Sequence, residues 1–169
     1  MKGDPIMSDA DSSRPRSGEA RGLDAVDRAI LGHLARDARM SYSRLAQSVG
    51  IAESTCHKRV RALVETGVIT GFHAEIAPAA LGLTIEALIS IRLHAHARGD
   101  LRRFQAYLEQ LPATRDVYFV AGDRDFLLHV AVADAAALRE LVSDTLSLRP
   151  EVAATNTSLI FDHVVGAQP

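Results

Sequence analysis

Glu53-Ser54-Thr55-Cys56-His57-Lys58-Arg59-Val60-Arg61-Ala62-Leu63-Val64-Glu65 carries two chemistries on one helical period. Cys56, Val60, Leu63 and Val64 share an apolar face, and Ser54, His57, Lys58 and Arg61 form a polar stripe roughly opposite. Gly67 follows as a helix stop. An apolar helix face needs something to pack on, and the residues upstream supply it. Leu23, Val26, Ile30, Leu31 and Leu34 lie on one face of an expected first helix, opened by Asp24 and Asp27 as a capping-box variant. Ser41 caps a short second helix with Tyr42, Leu45, Ala46 and Val49 inward, and Gly50 stops it. Three short helices with a glycine-bearing turn between the second and third predict a helix-turn-helix over residues 22–70.

On the second helix of such a pair, docking geometry puts N-terminal residues in the DNA major groove. Ser54 and Thr55 can donate to phosphate oxygens, where the helix dipole also favours an anion, and His57, Lys58 and Arg61 can meet phosphates or base edges. Arg59 on the flank and Arg44 on the preceding helix extend the expected contact. Elsewhere the same stripe would be an ordinary solvated face; its place in the motif makes double-stranded DNA the expected partner. The formal net charge of -2 and pI near 6.4 require that contact to be local.

Other features set bounds. A hydrophobic content of 47% excludes disorder throughout, and the apolar runs fall well short of the roughly 20 residues that cross a bilayer. The N-terminus has no basic flank followed by an apolar run, and the single cysteine, Cys56, cannot form an internal disulfide. A cytoplasmic protein is the expectation. Residues 1–21, polar and nearly devoid of apolar side chains, are expected to be a disordered tail, and Met7 offers a second start.

Beyond an expected linker at residues 71–83, the period changes. Val68 to Ile76 alternates loosely and ends at Pro78, as a short strand or a connector would. Ile85, Ala87, Ile89, Ile91 and Leu93 alternate with Glu86, Leu88, Ser90, Arg92 and His94, as a strand requires. Leu101, Phe104, Leu108 and Leu111 restore helical spacing. Val117 to Ala121 and Phe126 to Val132 read as strands joined by Gly122-Asp123-Arg124-Asp125, Leu138 to Leu146 as a helix, and Thr155 to Val164 as a last strand. The order β-α-β-β-α-β over residues 84–165 is the ferredoxin-like split unit, so the fold class is α+β: an N-terminal, winged helix-turn-helix and a C-terminal ferredoxin-like domain. One sheet face, with Leu88, Leu127, Ala131 and Ile160 or their alternates, is left uncovered, and a face-to-face dimer is the economical way to bury it.

The chain resembles the Lrp/AsnC family. The resemblance rests on Leu23-Asp24-x-x-Asp27-x-x-Ile30-Leu31, on Ser54 to Leu63 followed by Gly67-Val68-Ile69-x-Gly71-Phe72, and on Val120-Ala121-Gly122-Asp123-Arg124-Asp125-Phe126-Leu127. It covers about Leu23 to Val165. Ala52 departs from it, standing where the family usually has a serine-like cap, so Glu53 or Ser54 is left to start the helix. The resemblance implies a transcription regulator whose sensor domains pair through their sheets. Dimers then join into larger rings such as an octamer, and amino acids bind between dimers near the Gly-Asp-x-Asp loop. Carried over, it implicates Gly122, Asp123, Arg124 and Asp125, with Thr155 and Thr157 completing the effector pocket. A carboxylate there can receive an α-ammonium group and turn N–H groups an α-carboxylate.

Two rivals stand beside that reading: an architectural DNA-binding protein with no effector, and an enzyme similar to the sirohaem decarboxylases, with His94 or His129 in haem-like chemistry. No catalytic residue, metal or cofactor is expected. His94, His96 and His129 lack ligand spacing, and Cys56 and His57 point about 100° apart on a helix.

Overall fold

The computed structural model describes residues 22–164 and Gly166; the expected disordered tail and second start lie outside them. The chain divides between Ala74 and Glu75 into two compact units.

The first unit holds α1 (Ala25–Arg36), α2 (Tyr42–Val49) and α3 (Glu53–Glu65). Asp24 caps α1 through a complete capping box with Asp27. Ser41 Oγ accepts the Arg44 N–H at 3.3 Å to start α2, and Gly50 ends it in the left-handed region at φ 71°. Ile30, Leu45, Ala46, Cys56, Val60 and Leu63 form the buried core, against which Leu23, Val26, Leu31, Leu34 and Val49 pack. Two residues expected inward turn out: Val64 is 44% exposed and Tyr42 38%. Both lie at the margin of their helix's apolar arc, where a three-helix core this small has no second layer to cover them. Residues 70–77 form neither helix nor strand, so the segment after α3 is the connector and the expected wing is not built by these residues within one chain. A lone strand would leave its N–H and C=O groups unpaired.

The second unit begins with a 3-10 turn at Pro78–Leu81 and continues β1 (Ile85–Leu93), α4 (Leu101–Glu109), β2 (Thr114–Phe119), β3 (Phe126–Val132), α5 (Ala135–Glu140) and β4 (Val152–Ile160). A 3-10 segment, Ala95–Asp100, joins β1 to α4, and α5 runs on into a π turn at Leu141–Leu146. The sheet order β2-β3-β1-β4, antiparallel throughout, is the ferredoxin-like arrangement. β1 matches the expected alternation over Ile85–Leu93, but β2 and β4 begin three residues earlier than their apolar signals, at Thr114 and Val152. Both are edge strands, and polar residues such as Thr114 and Asp116 pair there without needing burial.

Alternation sorts the sheet into two faces. Ala87, Ile89, Ile91, Leu93, Phe126, Leu128 and Val130 pack under Phe104, Leu108, Leu141 and Leu146. On the opposite face, register sets Leu88 beside His129 and Ser158, Ser90 beside Leu127, and Glu86 beside Ala131 and Ile160. Leu88, Tyr118, Val120, Leu127 and Ile160 line a concavity of about 390 Å³ there, on the face expected to be left open.

Candidate nucleic-acid interface and effector loop

Burial alternates along α3 as its sequence demands: Cys56, Val60 and Leu63 are buried, whereas Ser54, Thr55, His57, Lys58 and Arg61 are exposed. Burial pushes the Cys56 thiol above its ordinary range, with Glu53 adding to the shift, which suits a core filler and not a nucleophile. Ala52 is the N-cap and makes no side-chain cap bond; neither Glu53 nor Ser54 replaces it. Thr55 and Cys56 donate back to the Ala52 carbonyl at 3.0 Å, so the N–H groups of Glu53 and Ser54 are the ones that point out of the helix start.

The cations around this stripe have different employment. Lys58 and Arg44 are exposed and form no ion pair among the described residues. Arg61 Nε lies 2.7 Å from Glu65 Oε1 one turn along, a solvent-exposed pair that holds the guanidinium lightly. Arg59 is engaged: its Nη1 lies 2.7 Å from Asp24 Oδ2 and 2.7 Å from Asp27 Oδ1, so it ties α3 to the start of α1. The Asp24 carboxyl is held below its ordinary value of 3.8, first by the Asp27 N–H and then by Arg59. The His57 ring packs on Tyr42 of α2, with centroids 4.5 Å apart and planes tilted by 41°. The sequence reading missed Tyr42 here because an aromatic at a helix margin looks like core.

In the second unit, Gly122 stands at φ 125°, a conformation few side-chain-bearing residues adopt, and this bends the β2–β3 hairpin. Asp123 is 87% exposed at its side chain and meets Arg124 Nε at 3.5 Å. Asp125 is engaged within the fold. It is buried, its Oδ2 accepts the Leu93 N–H at 2.7 Å, and its Oδ1 lies 3.1 Å from Arg98 Nε. Both carboxylate oxygens are therefore used within the fold. Arg98 was not foreseen, since nothing in its local sequence ties it to Asp125. Thr155 and Thr157 lie on β4 opposite Ile91 and Ile89, Thr157 exposed, and Thr155 Oγ1 is 3.5 Å from Ser147 Oγ. Asp125 donates its own N–H to the Ile91 carbonyl at 2.9 Å, so hairpin and threonines flank β1 on opposite sides. Two strand spacings, about 10 Å, separate them within one chain.

His94 and His96 are exposed and stack with ring centroids 5.4 Å apart. His129 lies on the open sheet face between Asp116 Oδ2 at 3.0 Å and Glu86 Oε2 at 3.1 Å.

Comparison with known proteins gives these sites a context. The model of the AsnC-type helix-turn-helix domain matches residues 23–64 and that of the Lrp/AsnC ligand binding domain residues 86–168. The HTH-type transcriptional regulator AldR of Mycolicibacterium smegmatis is 52% identical over 155 residues, 92% of this chain and 91% of that one. This chain belongs to the Lrp/AsnC family of transcriptional regulators.

Solved Lrp/AsnC structures agree in fold. The crystal structure of MtbAldR superposes with a TM-score of 0.76 at 45% identity, covering 89% of this chain and 99% of that one. A transcriptional regulator of Neisseria meningitidis in complex with L-Met gives 0.79 at 25% identity, covering 87% and 96%. Membership in this family makes the chain a regulator with a helix-turn-helix DNA-binding domain and sets the enzymatic rival aside.

Proposed function

We propose that this Lrp/AsnC regulator grips double-stranded DNA with α3 and changes its assembly and DNA affinity when it binds an amino acid. The observation that carries the DNA half is the exposed stripe of Ser54, His57, Lys58 and Arg61 directly across α3 from buried Cys56, Val60 and Leu63. Lys58, Arg44 and the uncapped amides of Glu53 and Ser54 position the helix on phosphates; His57 and Arg61 read base edges. The Arg61–Glu65 pair is exposed enough to exchange for a base edge.

For the effector, Asp123 is the carboxylate available to an α-ammonium group, because Asp125 is engaged. The amides around Gly122 supply donors for an α-carboxylate, and Arg124 adds a positive charge. The separation of this hairpin from Thr155 and Thr157 by β1 supports a pocket completed by a second subunit. The apolar concavity around Leu88, Tyr118 and Leu127 supports a dimer through the open sheet face, with dimers joining into a ring such as an octamer. Such a protein works in the cytoplasm beside the chromosome. Among the described residues no helix is long and apolar enough to cross a membrane.

Sedimentation velocity with each amino acid in turn, followed by footprinting on DNA upstream of the protein's own gene, tests this reading. One amino acid is expected to shift both the assembly and the footprint. A footprint and sedimentation coefficient that no amino acid alters would replace it with the architectural, effector-independent reading.

A further inference from the structure

Asp24 and Asp27 each divide their two oxygens between two tasks. Asp24 Oδ1 accepts the Asp27 N–H at 2.8 Å and Asp27 Oδ2 accepts the Asp24 N–H at 3.3 Å, which closes the cap of α1. The remaining oxygens, Asp24 Oδ2 and Asp27 Oδ1, both take Arg59 Nη1 at 2.7 Å. The cap holds the carboxylates in place, and the carboxylates hold the guanidinium. Arg59 is one residue beyond Lys58 and two before Arg61, so fixing its direction fixes the rotation of α3 about its own axis. That rotation decides whether His57, Lys58 and Arg61 face a groove together. The apolar contacts of Cys56, Val60 and Leu63 set which face of α3 is inward, and the ion pair adds a polar tie on its flank.

We propose that Arg59 is a positioning residue for DNA recognition, acting through Asp24 and Asp27 to set the azimuth of the recognition helix, and that it makes no phosphate contact. The inference rests on the reading of α3 as the DNA-contacting helix. It inverts the ordinary electrostatic expectation for the two aspartates. Removing negative charge from a DNA-binding unit normally tightens binding to any duplex. Here the loss of either carboxylate frees α3 to rotate and weakens binding to the specific duplex.

The experiment uses the full chain, a duplex selected by the wild-type protein from a random-sequence pool, and a scrambled duplex of the same composition, titrated by anisotropy over a range of salt. Arg59→Lys keeps the charge but, with a shorter reach and no planar head, does not reproduce the one Nη1 that bridges both carboxylates. Asp24→Asn keeps a good N-cap residue, so α1 still starts in place while the ion pair is lost. Both variants are expected to lose about tenfold for the selected duplex, the size of one misread base pair, with unchanged binding to the scrambled one. The slope of log K against log salt is expected to stay at the wild-type value in both. A slope lowered by about one in the charge-removing Arg59→Gln, or tighter binding by Asp24→Asn, would make Arg59 a phosphate ligand and overturn the proposal. Equal losses on both duplexes, matching a loss of folded protein by circular dichroism, would reduce the clamp to a stability element and overturn it as well. A wild type that enriches no sequence from the pool would overturn the DNA-binding reading itself.

Discussion

Arg98 and Asp125, 27 residues apart in sequence, meet with Nε 3.1 Å from Oδ1, while the other carboxylate oxygen takes the Leu93 N–H at 2.7 Å. The contact pins the turn before β3 to the end of β1, where the β1–β4 register shifts between Arg92 and Leu93. An irregular strand end leaves a backbone donor without a ladder partner, and Asp125 is the acceptor that satisfies it.

Asp125→Ala therefore orphans a buried N–H. Urea unfolding is expected to show a loss of about 1–3 kcal/mol, whereas Asp123→Ala, at an exposed side chain, changes stability by less than about 0.5 kcal/mol and weakens the amino-acid response. The reverse order of effects would return Asp125 to the role of ligand.

The open sheet face gives a second expectation. Leu127→Arg puts a charge into the concavity it shares with Leu88 and Tyr118, and light scattering is expected to find monomers where the wild type is oligomeric. Oligomers of wild-type size would move the subunit contact to another surface.

At α3, Lys58→Ala and Arg44→Ala each remove a cation that has no ion pair among the described residues. Each is expected to lower the salt slope of DNA binding by about one and to weaken selected and scrambled duplexes alike, since phosphates carry no sequence. Tyr42→Ala removes the ring against which His57 is packed; an aromatic pair contributes about 0.5–1.5 kcal/mol, so discrimination between the two duplexes is expected to fall about two- to tenfold. Unchanged discrimination would leave His57 outside base readout.

Acid probes the α1 cap. The Asp24 carboxyl titrates below 3.8 in the folded chain, pulled down by the Asp27 N–H and by Arg59. A depressed pKa gives stability that is present above the ordinary value and is lost as pH falls through the folded one. The urea midpoint of the wild type is thus expected to drop more steeply than that of Asp24→Asn between about pH 5 and about pH 3. Parallel curves would remove Asp24 from the acid response.

The sequence was most legible where one side chain repeats a period. Ile85 to Leu93 is a central strand buried on one face, and its alternation matches the observed bounds of β1. The apolar arc of α3 is equally plain. Relations that join distant segments were not legible. The charge of Arg59 is visible in sequence, and its two partners, more than thirty residues away, are not. The engagement of Asp125 is hidden in the same way, since the Leu93 N–H that it accepts depends on how β1 ends. Ala52 has no side-chain acceptor, and α3 begins there without a side-chain cap.

The most direct test of the account is anisotropy of a labelled duplex from upstream of the protein's own gene, titrated at fixed salt with and without each amino acid. One amino acid, or a few of related side chain, is expected to shift the midpoint several-fold for the wild type and not for Asp123→Ala. Tight binding that no amino acid shifts would contradict the sensing half of the account, and binding no tighter than to a scrambled duplex would contradict regulation of its own gene.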